Sequence, residues 1–161
     1  MGKLEGDVVN YSSQDMAAYY AIGHFMHRWG SLEKWLELHL HHFGAGSIDR
    51  SATRVRKWAE TLLEKYPANS DYHLSVGNVR DQILKIIKFR NKLYHGAIAM
   101  IADNGDIEII YRSTKGKHEN ININANEIEK LAKSIDWLIG ATGRLNNGEI
   151  ISSLEFYERV H

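Results

Sequence analysis

The chain has 161 residues, a length that fits one domain with a sizeable core, and its 20 basic and 20 acidic residues give a formal net charge of zero. Hydrophobic residues make up 43% and charged residues 25%, which excludes a disordered chain and indicates an ordinary globular protein. The absence of cysteine excludes disulfides and thiolate metal sites, and the neutral charge excludes a global field that would attract nucleic acid.

The start of the chain bears on where the protein acts. Residues 1–7 are polar and lack the apolar segment of a signal peptide, and no later stretch approaches the roughly 20 apolar residues that a membrane-spanning helix needs. We therefore expect a cytoplasmic protein with no membrane partner. Nothing marks a second domain, so residues 1–161 are predicted to form a single domain.

The first predicted helix begins at a capping signal, Ser12 with Asp15 three positions later, and ends near Gly44. Its apolar residues recur at helical spacing: Ile22, Phe25, Trp29, Leu32, Leu36 and Phe43. Gly23 and Gly30 lie inside this helix, where each costs about 1 kcal/mol relative to alanine. They predict a kink or a close helix contact at those points.

Two further helices are predicted before residue 96. The second follows a turn at residues 47–49 and stops at Pro67, the only proline in the chain. The third carries an inward stripe at steps of three and four residues: Val79, Ile83, Ile86, Arg90 and Leu93. Gly96, directly after His95, is its predicted C-terminal cap.

The spacing of apolar residues changes after Gly96 from the helical steps of three and four to alternation. Residues 97–101 and 107–111 therefore predict two strands. Asn104 and Gly105 between them favour a two-residue type I′ hairpin turn, because both positions of that turn need positive φ. Residues 119–123 also alternate and predict a third, edge strand, after a basic loop at residues 113–118.

The last long helix carries apolar residues from Ile128 to Leu145, with Asn126 as its predicted cap, and residues 149–160 predict a short terminal helix or a docked arm. The predicted fold class is therefore mainly α: a four-to-five-helix up-down bundle with a β-hairpin or small antiparallel sheet inserted before the last long helix.

Arg90 is the one charge on the inward stripe of the third helix. Burying a guanidinium costs several kcal/mol unless it is paired or meets an anion. One explanation is an ion pair with Glu33 or Glu37 of the first helix. The other is a binding site, because Asn91 and His95 are four residues apart and therefore share a face at the helix end. Arginine, amide and imidazole together could bind a phosphate and move a proton.

The segment Arg90-Asn91-Lys92-Leu93-Tyr94-His95 resembles the arginine, polar residue and histidine signature of the HEPN superfamily. Its position late in a long amphipathic helix, the glycine after it and the helical surroundings agree with that family. Only these residues are specific, whereas the order of helices is similar over most of the chain. The resemblance implies a metal-independent endoribonuclease without a cofactor. It also implies a homodimer with both motifs facing one composite cleft.

In such a site each residue has a chemical role. The 2′-hydroxyl of RNA attacks the adjacent phosphorus, His95 carries the proton, and Arg90 holds the phosphate oxygens. Asn91 orients the imidazole or the phosphate, Tyr94 stacks on a base and Lys92 contacts a flanking phosphate. Three residues of the basic loop could each add a phosphate contact beside the cleft: Lys115, Lys117 and His118.

The endoribonuclease that the resemblance implies is of the toxin or defence type. If the chain resembles the toxin half of a toxin–antitoxin pair, the antitoxin is a separate protein, because no nucleotidyltransferase motif is present. The alternative is a non-catalytic module, since some HEPN-like bundles serve only in dimerisation or protein interaction, and the motif then only stabilises packing.

A metal site is not predicted. The histidines that could form one are His24, His27, His39, His41 and His42. His39 and His42 share a face but have no obvious third ligand. Trp29, Trp35, Trp58 and Trp137 are predicted to be core or interface residues.

Overall fold

Five helices and three strands make up the computed structural model, which describes residues 12–102, 104, 106–113 and 115–160. In chain order they are α1 Ser13–His42, α2 Ser51–Lys65, α3 Ser70–His95, β1 Gly96–Ile101, β2 Asp106–Arg112, β3 His118–Asn124, α4 Ala125–Asn146 and α5 Ser153–Val160. The predicted fold class is confirmed, since a helical bundle carries a small antiparallel sheet before its last long helix.

Helix α1 begins where its capping signal predicts. The Asp15 N–H donates to the Ser12 hydroxyl (3.1 Å), and the Ser12 N–H donates to the Asp15 carboxylate (2.8 Å). The helix runs unbroken to His42. Nothing lies within 4 Å of a Cβ added at Gly23 or Gly30, so the close helix contact predicted there is wrong. Both glycines lie on the exposed face of α1.

The core lies between two helix pairs. Helix α1 packs most extensively on α4, and α2 packs on α3. Two buried hydrogen bonds tie the end of α4 to the other pair: Trp58 Nε1 donates to Asn146 Oδ1 (3.0 Å), and the Tyr72 hydroxyl donates to the Leu145 carbonyl (2.5 Å). The largest side chains of the core are fully buried: Phe25, Trp29, Leu32, Leu36, Trp58, Leu62, Tyr72, Ile83, Ile86 and Ile128.

The three strands form an antiparallel sheet in the order β1-β2-β3, which confirms the predicted third, edge strand. Ile107 and Ile109 of β2 are buried, and β2 packs against α3. The sheet therefore attaches to the bundle at the end of the helix that carries the candidate motif.

The hairpin loop differs from the two-residue turn predicted from Asn104. The Ala102 N–H donates to the Asp106 carbonyl (2.8 Å), so the last paired residues are separated by three positions rather than two; residues 103 and 105 themselves lie outside the described residues. Asn104 does not have positive φ, so a type I′ turn at this position is wrong. Its side-chain oxygen instead accepts the Asp106 N–H (3.1 Å), an Asx-type turn that stabilises the longer loop.

Gly96 is the C-cap residue of α3, as predicted, but its backbone is extended (φ −95°, ψ 165°) rather than left-handed. It is also the first residue of β1, so the chain passes from helix to strand without a loop. A Cβ at this position would lie 2.5 Å from Ile109 Cγ2 and 2.6 Å from the Lys92 carbonyl oxygen. Glycine is therefore needed here because the helix end and the sheet approach too closely for a side chain.

Gly96→Ala is expected to lower the free energy of unfolding by about 1 to 3 kcal/mol, because the added methyl group must displace backbone as well as side-chain atoms. Gly30→Ala is the matched control, since its Cβ meets nothing and alanine favours the helix by up to about 1 kcal/mol. Urea unfolding of the two variants measures both effects. Equal stability of the two variants would contradict the tight junction.

The N-cap of α4 is Asn124, and the predicted cap Asn126 is wrong by two residues. The Glu127 N–H donates to Asn124 Oδ1 (2.9 Å), and the Asn124 N–H donates to the Glu127 carboxylate (3.0 Å). Because Asn124 is also the last residue of β3, α4 begins directly where the sheet ends.

Asn124→Ala is expected to cost about 1 kcal/mol of stability, since it removes the acceptor of an orphan helix N–H. Asn126→Ala is the control: it lies in the exposed first turn, where alanine is at least as favourable as asparagine. Thermal unfolding of both variants distinguishes the two caps. A larger loss in Asn126→Ala would identify Asn126 as the cap after all.

The C-terminal segment includes both predicted forms, a docked arm and a short helix. The Ile151 side chain is buried, its N–H donates to the Ser75 hydroxyl (3.2 Å), and that hydroxyl donates to the Ile151 carbonyl (2.8 Å). Helix α5 follows, and Arg144 of α4 forms ion pairs with Glu149 (3.0 Å) and Glu155 (2.5 Å). Within the described ranges, no helix is both long enough and apolar enough to cross a membrane.

Candidate functional site

Arg90 lies at the inward stripe of α3, but it is half-buried rather than buried. Val79, Ile83 and Ile86 of the same stripe are buried, as predicted. At the level of Arg90, the stripe faces an open hollow rather than a packed helix. We call this the Arg90 hollow: it is lined by residues 49–52, by Glu33 and Arg54, and by Ile87, Arg90 and Asn91 of α3. The guanidinium therefore remains accessible.

The ion pair with Glu33 or Glu37, one of the two explanations for Arg90, is not formed. Glu33 accepts a hydrogen bond from the Ser51 hydroxyl and lies 3.9 Å from Arg54 Nη1. Glu37 lies 3.6 Å from Lys34 Nζ. Within the part of the chain that the structure describes, no carboxylate lies within 4.0 Å of the Arg90 guanidinium.

The contacts of Arg90 are instead with its own motif. Its Nη1 donates to Asn91 Oδ1 (3.1 Å), and its guanidinium carbon lies 4.8 Å from the centre of the Tyr94 ring. Its Nε is buried and has no hydrogen-bond partner among the described residues. The guanidinium is held by an amide and a ring at Nη1 and on one face, and the N–H groups at its accessible end remain for an anion.

His95 is exposed and lines a second hollow, between the end of α3 and the sheet. This His95 hollow is formed by Lys88, Asn91, Lys92 and His95 of α3 and by residues 111–113, Lys115 and Glu119 on the sheet side. It measures about 610 Å³, which is within the size range of small-molecule sites. The junction at Gly96 sets its shape, because it brings β2 directly beside the last turn of α3.

The predicted site residues form one continuous surface with a hollow on each side. Asn91 lines both hollows. The Tyr94 ring contacts Arg90 and also lies 5.0 Å from the His95 ring, measured between ring centres. Arg90 and His95 are thus brought close together, but within one chain they do not line a common hollow. Lys92 lines the His95 hollow, and Tyr94 is 63% exposed.

The His95 hollow is strongly cationic. Lys88, Lys92, Arg112 and Lys115 face one carboxylate, Glu119. A hydrogen bond from the Tyr111 hydroxyl (2.8 Å) lowers the pKa of Glu119, and the charge of Lys92 lowers it further. The carboxylate is therefore ionised, but it is engaged by Tyr111 and offsets only part of the positive charge.

Of the three residues proposed from the basic loop, the structure places Lys115 in the His95 hollow but not Lys117 or His118. Sequence reasoning missed Lys88, Arg112 and Tyr111. Tyr111 pairs with Gly96 across β1 and β2, so the hairpin register brings it to the helix end. Counting back from the Ala102–Asp106 pair alone would have placed Arg112 opposite Gly96, because the register shifts by one residue between Ile98 and Met100.

The histidines of α1 do not form a cluster of ligands. Among the described residues, no three His, Asp or Glu side chains converge as a metal site would require. His24 pairs with Glu129 of α4 (3.0 Å), and His39 stacks on Trp35. Burial and the neighbouring His42 lower the pKa of His39. His24 and His39 therefore have packing contacts that explain them.

The tryptophans divide between core and surface. Trp29 and Trp58 are buried, and Trp137 packs against Phe156 of α5, with ring centres 5.6 Å apart. Trp35 is 40% exposed and lines a groove on α1. The prediction of core residues is confirmed for Trp29 and Trp58.

No protein-family model matches this chain, and neither a curated protein nor a solved structure matches it. The case for a function therefore depends on the residues themselves. The site offers a guanidinium without a carboxylate partner, an exposed imidazole five residues later and a cationic hollow beside it. These groups suit an anionic substrate whose reaction needs proton transfer.

Proposed function

We propose that the protein is a metal-independent endoribonuclease of the toxin or defence type, formed by a single HEPN-like domain and acting in the cytoplasm as a homodimer. The observation that carries this proposal is the state of Arg90. A costly charge on an apolar stripe has no carboxylate partner among the described residues and faces an open hollow close to an exposed histidine. A buried structural arginine would need a counter-ion, whereas this half-buried guanidinium faces an open hollow that an anion can enter.

The proposed reaction needs no group from outside the protein. The RNA 2′-hydroxyl loses its proton and attacks the adjacent phosphorus, the bond to the 5′ oxygen breaks, and that oxygen gains a proton. The products are a 2′,3′-cyclic phosphate and a free 5′-hydroxyl. His95 transfers the proton, Arg90 stabilises the charge that builds up on the phosphate oxygens, and Asn91 orients either group.

A homodimer could bring Arg90 of one chain beside His95 of the other, although the two residues line different hollows within one chain. Arg90 and His95 of one chain line different hollows, so a phosphate held by one Arg90 is best served by a His95 supplied across a two-fold axis. Two copies of each residue would also concentrate positive charge in a protein whose net charge is zero. If the protein is a toxin, a separate antitoxin protein is its expected further partner.

A second candidate function is a non-catalytic HEPN-like dimerisation or interaction module. The separation of Arg90 and His95 within one chain favours it, because without a suitable second copy no common site forms. Tyr94, exposed between them, would then be an interface residue.

The proposal predicts that the purified protein cleaves RNA in the presence of EDTA. Structured and unstructured RNA should be incubated with EDTA or with added Mg²⁺, and the ends of the products identified. Cleavage in EDTA that leaves cyclic-phosphate ends agrees with the proposal. Cleavage only with added metal would indicate a metal-dependent hydrolase, and no cleavage under either condition would favour the interaction module.

A further inference from the structure

The inserted sheet gives the site a second group of cations, which the motif alone does not supply. We propose that the His95 hollow binds backbone phosphates of single-stranded RNA that flank the cleaved bond, with Arg112 and Lys115 as the cations contributed by the sheet. The identity of the ligand rests on the proposed function. The site itself rests on how charge is distributed over the described surface.

The His95 hollow brings four cations together around a single carboxylate, Glu119. Some arginines elsewhere are neutralised by a carboxylate, as in Arg28 with Asp136, Arg80 with Asp81 and Arg144 with Glu149. In the described residues, Lys88, Lys92, Arg112 and Lys115 have no carboxylate within 4.0 Å. Four cations without ion pairs thus surround one hollow of a neutral protein, where an anion would relieve their mutual repulsion.

The hollow is partly preorganised for such a ligand. The loop between β2 and β3 is closed by hydrogen bonds from the Ser113 N–H to the Lys117 carbonyl (2.8 Å) and from the Gly116 N–H to the Ser113 carbonyl (2.9 Å). Gly116 has a φ of +78°, which holds the loop tight. Arg112 Nε donates to the Gly116 carbonyl (3.4 Å), so the guanidinium is anchored at one side. Because this wall is already ordered, less conformational entropy would be lost when the ligand binds.

The size of the hollow favours a single strand. A hollow of about 610 Å³ holds a nucleotide or two, whereas double-stranded RNA is recognised across a much longer surface. Tyr94, 63% exposed beside His95, is available to stack on an unpaired base. Tyr111 is not, because it is half-buried and its hydroxyl donates to Glu119.

The test uses a labelled single-stranded 2′-O-methyl RNA oligonucleotide, which cannot be cleaved through a 2′-hydroxyl. Binding to the wild type and to Arg112→Gln/Lys115→Gln is measured by fluorescence anisotropy at several salt concentrations. The double variant is expected to bind at least about fivefold more weakly. The slope of log K against log salt should fall by about 0.7 for each phosphate that the variant no longer neutralises.

Two controls separate charge from structure. Lys57→Gln/Lys133→Gln removes two cations outside both hollows and should change affinity less than about twofold. Arg112→Lys keeps the charge but removes the hydrogen bond to Gly116, so it should retain the salt slope of the wild type.

The outcomes distinguish this inference from the proposed function. If the protein cleaves no RNA but the double variant still has reduced affinity for the probe, the phosphate site stands and the nuclease proposal fails. If RNA is cleaved but the double variant binds as the wild type does, the phosphate site is wrong. Failure of the wild type to bind the probe, or tighter binding of a duplex of the same sequence, also overturns it.

Discussion

His95→Ala is expected to lower the rate of RNA cleavage in EDTA by about 10²- to 10⁴-fold, the range that a positioned general acid or base contributes. Among the side chains of the motif, the imidazole is the type that most often serves as a general acid or base. Its side chain is exposed and its ring contacts Tyr94, so the fold should be almost unchanged, within about 0.5 kcal/mol. Single-turnover cleavage of a labelled RNA measures the loss.

His118→Ala is the matched control for that variant. His118 is another exposed histidine, the first residue of β3, and it does not line either hollow. It should cleave at the rate of the wild type. A His95→Ala protein that retains half of the wild-type rate would show that His95 is not the proton carrier, even if RNA is cleaved.

The elements of this fold that can be predicted from sequence are those whose signals are local. Helices α1, α3 and α4 carry apolar residues at steps of three and four over many turns, and the Ser12 capping box marks a start within four residues. The cap of α4 is harder to place because Asn124 and Asn126 are the same residue type. Only the end of β3 decides between them, since Asn124 closes the strand and opens the helix.

The candidate site is predictable on one side only. The motif lies on a single helix, so its residues can be placed together from their spacing alone. The opposite wall of the His95 hollow comes from the sheet. Its position depends on the closing pair Ala102–Asp106 and on the register shift between Ile98 and Met100, which together pair Gly96 with Tyr111. Asn104 and Gly105 favour a shorter loop, and with that loop the register would change.

The partner of Arg90 cannot be predicted, because spacing gives the face of a helix but not the competition between side chains. Glu33 is a reasonable counter-ion, yet it contacts Ser51 and Arg54 at the start of α2. Arg54 in turn donates to the Ile48 carbonyl (2.6 Å). These contacts connect residues that are distant from Arg90 in sequence, and they leave Arg90 without a carboxylate partner among the described residues.

Arg90→Ala is expected to reduce RNA cleavage by about 10²- to 10³-fold, the loss that follows removal of one group stabilising charge in the transition state. Arg90→Lys should recover only part of the activity, because a lysine keeps the charge but cannot hold two phosphate oxygens with one planar group. Arg56→Ala removes an exposed arginine of α2 that lines neither hollow, and it should leave cleavage unchanged.

The stability of Arg90→Ala decides between the two candidate functions. Breaking a buried ion pair costs about 3 to 5 kcal/mol, whereas Arg90 loses only its hydrogen bond to Asn91 and its contact with the Tyr94 ring, worth about 1 kcal/mol in a half-exposed setting. A nuclease therefore predicts a folded, inactive Arg90→Ala protein. The opposite result would be strong destabilisation of Arg90→Ala in urea together with no cleavage by the wild type. Arg90 would then serve the packing or dimerisation of an interaction module, because its charge would contribute to the fold and not to a bound phosphate.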